Sequence, residues 1–403
     1  MKKKVPGIFL PILLVTGILL LSGCDKPGRS SQWYKGNLHT HSYWSDGDDY
    51  PEMIMDWYKS HGYDFVALSD HNILAEGEKW KLIPKHAIHQ QGFREYLDKF
   101  SADWVEYNRD SVGLQVRLKT LTEYRQLFEE ADKFLIIPAE EITTSFDKKP
   151  LHLNAINVQR LIQPRPGNSV VEVLQNNIDA VLSQRDSTGE PILPHINHPN
   201  YHYAITVNDF IQLRGERFFE VYNGHPLVNN FGDSLHISTE QMWDAINITY
   251  ARNGRPLLYG LATDDSHNYH QFGQGHINPG RGWVMVNSDL LTTSALIAAL
   301  EAGRFYASTG VTLKTVELQD NILLIAIASG PGIDYSIQFI GATKVDQATS
   351  VLQSTTGISA RFKVDSDLLF VRAKITSSKI KANPHQVGEY EVAWTQPVVF
   401  QIQ

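Results

Sequence analysis

Between about residues 33 and 309 the chain alternates short apolar runs with amphipathic stretches. The apolar runs are FVALSD (65–70), FLIIPAEEIT (134–143), LHLNAINV (151–158), PILPHINHP (191–199), FFEVYNG (218–224), LLYGLATDD (257–265) and GWVMVN (282–287). Helical spacing of apolar residues lies between many of them, at 51–62, 121–133, 170–185, 239–254 and 294–304. Pro51 suits a first helical turn, and Gly62, Gly254 and Gly303 suit helix ends. The alternation predicts an α/β fold on a parallel sheet or barrel. Residues 74–120, charged and aromatic, interrupt the rhythm and read as an inserted, partly helical flap. From about residue 310 the pattern becomes short, partly alternating strands such as NILLIAIAS and LFVRAKITSS. These predict a small antiparallel β-sandwich over 310–403.

The N-terminus follows neither pattern. MKKK precedes an apolar stretch that ends in Leu21-Ser22-Gly23-Cys24. A basic start, an apolar middle and small residues before the end read as a secretory leader over 1–23. The final tetrapeptide resembles the lipobox of bacterial lipoproteins, which makes Cys24 the acylated first residue of the mature chain. Cys24 is the only cysteine, so the acylated protein forms no disulfide despite an extracytoplasmic address. Residues 24–32 read as a polar tether. The implied location is the bacterial cell envelope, with the protein lipid-anchored to a membrane. Asp25 resembles the signal that retains such proteins on the inner membrane, facing the periplasm, in Gram-negative cells.

Lysine and arginine number 36 against 44 aspartate and glutamate, a formal charge of −8. No basic tract occurs beyond the leader, so nucleic acid is not expected as a partner. The histidines are more telling. Fifteen of the sixteen lie between residues 39 and 276, and many sit at the ends of predicted strands: His39 and His41, Asp70 and His71, Glu141, His152 within a strand, His195 and His198, Asp265 and His267. In a βα barrel the C-terminal strand ends converge on one mouth. Imidazoles and carboxylates gathered there suit zinc, manganese or iron. Two histidines separated by one residue on a strand point to the same face, so His39 and His41 can reach one ion. Asp46 follows on a turn that Gly47 frees to bend back.

The stretches HTHSYWSDG, ALSDHN, PAEEIT followed by His152, NHP and TDDSHN together resemble the successive motifs of the polymerase and histidinol phosphatase (PHP) superfamily, in order, over roughly residues 36–287. The resemblance implies a distorted (β/α)7 barrel over 33–309, followed here by the all-β region 310–403. It also implies two or three divalent metal ions and hydrolysis, most often of phosphate esters. Carried over residue by residue, the implied metal ligands are His39, His41, Asp46, His71, Glu141, His152, His198, Asp265 and His267. Three positions offer a choice. Glu141 is favoured over Glu140 because Ile142-Thr143 follows it, His198 over His195 because Pro199 adjoins it, and Asp265 over Asp264 by its D-x-H spacing. AGRFYASTG (302–310) and the trailing β-region further resemble a metallohydrolase branch that includes carbamate-hydrolysing enzymes.

The expectation is a membrane-tethered hydrolase that uses metal-activated hydroxide on a small anionic ester, a phosphoesterase first. The alternatives are a carboxylic-ester, carbamate or amide hydrolase, and a metal-binding scaffold without turnover. Asp265 and His267 are the candidate proton carriers. Arg281 and Arg304 are candidates for orienting an anion, and His225 and His270 for flanking the mouth. The other histidines match no motif.

Overall fold

The computed structural model describes residues 1–3, 31–384 and 386–401. Cys24, most of the leader and tether, and His385 lie outside the described residues. The chain runs β1 (Gln32–Asn37), α1 (Pro51–Ser60), β2 (Phe65–Leu68), β3 (Trp80–Leu82), α2 (Ala87–Phe100), β4 (Tyr107–Arg109), β5 (Leu114–Arg117), α3 (Leu121–Phe128), β6 (Leu135–Phe146), β7 (Lys149–Ile156), α4 (Val170–Thr188), β8 (Leu193–Ile196), α5 (Val207–Phe210) and β9 (Phe218–Asn223). It continues through α6 (Thr239–Arg252), β10 (Tyr259–Thr263), β11 (Trp283–Ser288), α7 (Thr293–Glu301), β12 (Phe305–Ser308), β13 (Leu313–Gln319), β14 (Ile322–Ile327), β15 (Tyr335–Thr343), β16 (Ser350–Thr356), β17 (Ser359–Lys363), β18 (Leu368–Ile380) and β19 (Tyr390–Thr395). The fold is mixed α/β. Among the described residues no helix is long and apolar enough to cross a membrane.

Local chemistry sets the element ends. Pro51, with φ already fixed, opens α1. Ser169 caps α4 by accepting from the Glu172 N–H, and Gly189, at φ 72°, ends it by donating to the Arg185 carbonyl. The helices cover the strands with apolar faces. Val173, Ile178 and Val181 of α4 and Trp243 and Ile246 of α6 share one core with Leu153, Ile196, Phe219 and Ala262 of the strands.

Seven strands lie in the order β10-β9-β8-β7-β6-β2-β1. The pairs β1–β2, β2–β6, β8–β9 and β9–β10 are parallel. The all-parallel expectation fails at β7, which is antiparallel to both β6 and β8. The physical reason is the connection: Phe146 pairs with Lys149, so only Asp147 and Lys148 turn the chain, both left-handed at φ 46° and 64°. A two-residue turn of that kind makes a hairpin, whereas a parallel pair needs a crossover. The two outer strands of the seven also meet. Just past their C-terminal ends Thr40 and Ser266 form a parallel bridge, with the His41 N–H on the Ser266 carbonyl at 2.9 Å and the Asp265 N–H on the His39 carbonyl at 3.1 Å.

The sheet does not stop at residue 309. It continues from β1 through β11, β12, β19, β18 and β15 to β16, all antiparallel. The separate sheet β13-β14-β17 shares a core with this extension through Leu323, Ile325, Ile337, Phe339, Val371 and Ile375, and Met285 and Tyr306 from before residue 310 join it. Residues 74–120 carry a third sheet, β3-β5-β4, and α2. Their core, with Phe93, Leu114 and Val116, includes Tyr43, Trp44 and Tyr50 from the segment after β1.

Candidate metal centre

The C-terminal end of β1 places His39 and His41 on one face, both fully buried, with ring centroids 5.1 Å apart. His39 Nδ1 is 2.7 Å from Glu220 Oε1. Glu220 is fully buried on β9, so this contact assigns a proton to Nδ1 and turns Nε2 toward the cluster, where a metal ion would take the place of a second proton. His39 Nε2 lies 3.3 Å from Glu141 Oε1 and 3.2 Å from Asp265 Oδ1. His41 Nε2 lies 3.4 Å from Glu141 Oε2 and 3.2 Å from the same Asp265 oxygen.

Strand alternation and one left-handed residue resolve the paired acids. On β6 Glu140 and Glu141 face opposite ways. Glu140 Oε2 accepts from the Ile162 N–H at 2.9 Å, outside the cluster, and burial pushes its carboxyl up to about 7. Glu141 points inward to His39, His41, His71, His152 and His198. After β10, Asp265 adopts φ 51°, and its carboxylate diverges from that of Asp264. Asp264 instead accepts from Tyr58 Oη at 2.9 Å and from the N–H groups of Gly280, Arg281 and Gly282 at 2.6–2.9 Å, bracing the chain behind the site. His195 and His198 both enter the cluster. His195 lies 3.5 Å from Glu220, and His198 lies 3.5 Å from Glu141 and 3.9 Å from Asp265.

Asp46 forms the outer edge, its side chain 59% exposed. It lies 3.3 Å from His267 Nε2, 3.5 Å from His71 Nε2 and 3.9 Å from His41 Nδ1. Several groups hold its turn. Asp70 accepts from Ser42 and from Ser45 Oγ at 2.5–2.8 Å. Lys79 and Lys81, from the insertion, donate to the carbonyls of Trp44 and Ser45. Gly47 is required by space, since a Cβ there would stand 2.6 Å from the His41 carbonyl. The insertion therefore builds its core on the segment that carries Asp46, which explains the aromatic pair Tyr43-Trp44 inside that motif.

All nine ligands expected from the sequence meet at this end of the sheet, joined by His195 and Glu220. They form five overlapping groups: His41, Asp46, His71 and His267; His39, His41 and Glu141; His39, His198 and Asp265; His71, Glu141 and His152; and His39, His195 and Glu220. A bound metal fits them on two counts. His39 Nε2, both His41 nitrogens and Asp265 Oδ1 are buried without an aligned hydrogen bond, although each Nε2 lies 3.2 Å from Asp265 Oδ1. Ligands of a tetrahedral ion, ~2.0–2.2 Å from it, stand ~3.3–3.6 Å from each other. Charge is the second count. Glu141, Glu220 and Asp265 are buried, and among the described residues no lysine or arginine pairs with them. Burial works against their charge, but the surrounding histidines hold all three carboxyls below the usual range. His41 is pushed down to about 3 by burial and by His267 and His71, so it stays neutral, with the lone pair of one ring nitrogen available. Divalent cations balance such a cluster without protonating the imidazoles.

The remaining candidates sort differently. Arg281 is fully buried and donates to the carbonyls of Gly224, His276 and Gly273 and to Asn383. It is a structural brace whose donors are taken up by backbone carbonyls and Asn383, not a group turned to an anion. Arg304 is exposed on the turn between α7 and β12. His61 stacks on Trp57 at the end of α1, His236 pairs with Asp233, and His270 lies 2.9 Å from the Asp48 carbonyl. His225 stands at the rim, 6.1 Å ring to ring from His267. Sequence reasoning missed Glu220 and Asn223. Asn223 Nδ2 donates to Glu220 Oε2 at 2.8 Å and to Asp265 Oδ2 at 3.2 Å. The available signal was an acid inside the apolar run FFEVYNG.

No family model and no curated protein matches the chain. Among solved structures it is similar to a two-domain protein with a PHP-like metal-dependent phosphoesterase from Bacteroides vulgatus, at 15% identity and a TM-score of 0.40, over 88% of this chain and 93% of that one. It is similar to a metal-dependent phosphoesterase from Bifidobacterium adolescentis at 11% identity and a TM-score of 0.30, over 59% and 88% of the two chains. It is also similar to an amidohydrolase from Chromobacterium violaceum, solved with sulfate and no metal, at 12% identity and a TM-score of 0.29, over 67% and 96%. The motifs by which this chain resembles the PHP superfamily are the ones that supply the gathered side chains.

Proposed function

We propose that the protein is a divalent-metal-dependent hydrolase of phosphate esters. Its metal centre lies at the mouth of a distorted seven-stranded βα barrel, and an acylated Cys24 holds it to a membrane. The observation that carries the reading is the meeting of seven histidines and four carboxylates, from separate strand ends, in overlapping groups with ligand spacing. His39, His41, Glu141 and Asp265 would hold one ion. His71, His152 and His198 would hold a second with Glu141, and Asp46 and His267 a third with His71 and His41. When bound, such ions supply Lewis acidity and make water a nucleophile near neutral pH by lowering its pKa to about 7.

The chain's own groups do the rest. Glu220 fixes the His39 tautomer by accepting at Nδ1. The Asp265 backbone carbonyl does the same for His267 at 2.7 Å, so both rings present Nε2 to the cluster. Asn223 holds Asp265 Oδ2, and Asp265 and His267 would take a proton from water or return one to a leaving oxygen. Several donor groups, rather than one, favour phosphate esters over carboxylic esters, carbamates or amides. Charge in phosphoryl transfer is spread over attacking, leaving and equatorial oxygens, which more than one cation can neutralise together.

The test is elemental analysis of the full chain, with hydrolysis of p-nitrophenyl phosphate, bis(p-nitrophenyl) phosphate and p-nitrophenyl acetate before and after chelation. Two or three equivalents of zinc, manganese or iron, and phosphate cleavage lost on chelation and restored by metal, are expected. A protein that binds no metal refutes the reading. Metal-dependent cleavage of the acetate alone replaces it with the acyl hydrolase. Incorporation of labelled fatty acid at Cys24 checks the anchor.

A further inference from the structure

The rim of the site holds a group that the metal centre does not use. His225 follows β9, the strand that already supplies Glu220 and Asn223, and two contacts fix it. Its backbone N–H donates to Asn223 Oδ1 at 2.8 Å, tying it to the residue that holds Asp265 and Glu220. Its ring Nδ1 accepts the Leu227 N–H at 3.0 Å. A ring nitrogen that accepts from a backbone N–H carries no proton, so the His225 proton sits on Nε2. Among the described residues nothing accepts that proton. The ring is half-buried, with the Tyr201 ring edge-on at 5.5 Å and the His267 ring edge-on at 6.1 Å. His225 belongs to none of the ligand groups. The geometry therefore presents a neutral N–H donor, locked in one tautomer, at the edge of the metal centre.

We propose that His225 is a catalytic residue that donates its Nε2–H to an oxygen of the substrate that gains negative charge: an equatorial oxygen of a phosphoryl group, or the carbonyl oxygen of an acyl group. The inference rests on the hydrolase reading above and adds a substrate-contacting donor to it. The proton is not transferred: a neutral imidazole that gave up its only N–H would become an imidazolate, and the Leu227 N–H on Nδ1 disfavours the doubly protonated ring that could act as an acid. A preorganised donor of this kind acts where charge develops and costs no reorganisation when the reaction occurs.

The test compares wild type with His225→Ala and His225→Gln, using the metal-loaded full chain. Gln places an amide N–H near the position of Nε2. Metal content, kcat and KM for p-nitrophenyl phosphate and p-nitrophenyl acetate, and calorimetric binding of orthophosphate are read together. His225→Ala is expected to keep its metal and to lose on the order of 10²-fold in kcat, with weaker orthophosphate binding. His225→Gln is expected to recover most of both. The substrate that shows the loss identifies which oxygen is contacted. Loss of metal from His225→Ala would make His225 a ligand and overturn the proposal, as would wild-type kinetics and orthophosphate binding in that variant. Failure of Gln to recover more than Ala would overturn the donor role. A wild type that holds metal but neither hydrolyses an ester nor binds orthophosphate overturns the hydrolase reading and this inference together.

Discussion

Replacing His39 or His41 by alanine is expected to lower bound metal and to reduce ester hydrolysis by on the order of 10³-fold or more. The magnitude follows from removing metal assistance worth several kcal/mol in the transition state. Each ring bridges two carboxylates: His39 Nε2 and His41 Nε2 both lie 3.2 Å from Asp265 Oδ1 and within 3.4 Å of Glu141. Without either ring the two carboxylates keep their charge but lose the nitrogen that lies between them, so the remaining donors no longer enclose the ion. The effect of His39→Ala should extend further. Glu220 would lose the N–H it accepts at 2.7 Å and remain a fully buried carboxylate. The fold should survive in both variants, because the apolar cores between helices and strands do not include these side chains. His61→Ala is the control. His61 is exposed, stacks on Trp57 and should keep metal and turnover. Full metal occupancy with normal activity in both His39→Ala and His41→Ala would refute the assignment.

Much of the site was legible because its signals are local. The two-residue period of a strand puts His39 beside His41 whatever the rest of the chain does. The same period separates Glu140 from Glu141, and the left-handed Asp265 turns one of two adjacent aspartates inward. In both cases the residue favoured from its neighbours, Glu141 before Ile142-Thr143 and Asp265 two residues from His267, is the one whose carboxylate turns toward His39. Of the other pair, His198 faces Glu141 and Asp265 while His195 stands against Glu220, a second histidine in the cluster that the sequence did not assign.

What stayed hidden depends on contacts distant in sequence. Glu220 lies 181 residues from the ring it orients, and in FFEVYNG it reads as an interruption of an apolar strand. Arg281 looked available because guanidinium groups often bind anions. Its partners are backbone carbonyls, which leave no mark in the sequence. The direction of β7 turned on a two-residue loop of Asp147 and Lys148, whose left-handed backbone the apolar pattern does not mark. The function of Tyr43-Trp44 was equally hidden, because the insertion that buries them begins some thirty residues later. The turn bearing Asp46 and the insertion are one packed unit, so changes in the flap will reach the exposed edge of the metal centre through Lys79 and Lys81.

Replacing Arg372 by alanine is expected to cost about 3–5 kcal/mol of stability, a large part of the ~5–15 kcal/mol that folded chains usually have. Arg372 lies on β18, past the change in sequence style at residue 310, and is 1% exposed. It reaches α6: Nε and Nη2 donate to the two oxygens of Asp244 at 2.8 Å each, and Nη2 donates to Glu240 at 3.0 Å. Its guanidinium also lies over the Trp243 ring, 4.9 Å from the centroid. Removing it leaves the Asp244 carboxylate, 6% exposed, with Thr349 Oγ1 as its one remaining donor among the described residues, while Lys374 still pairs with Glu240 at 2.7 Å. The cost is therefore that of a buried charge left without its cation, more than that of a lost contact. Lysine should not restore it, because one ammonium cannot make the paired bonds to Asp244. Lys379→Ala is the comparison. That side chain is 54% exposed and pairs with Glu391, and exposed pairs contribute about 1 kcal/mol or less. In thermal melts of the full chain, Arg372→Ala should fall by roughly 4–7 °C and Lys379→Ala by little. The β-rich region is joined to the metal-bearing region by this ion pair and by the continuous run of β11, β12, β19 and β18. The whole unfolding transition, including loss of bound metal, should move with Arg372. A melt in which the metal-bearing region keeps its wild-type midpoint while only the β-rich region unfolds early would show that the two are energetically separate despite the shared sheet.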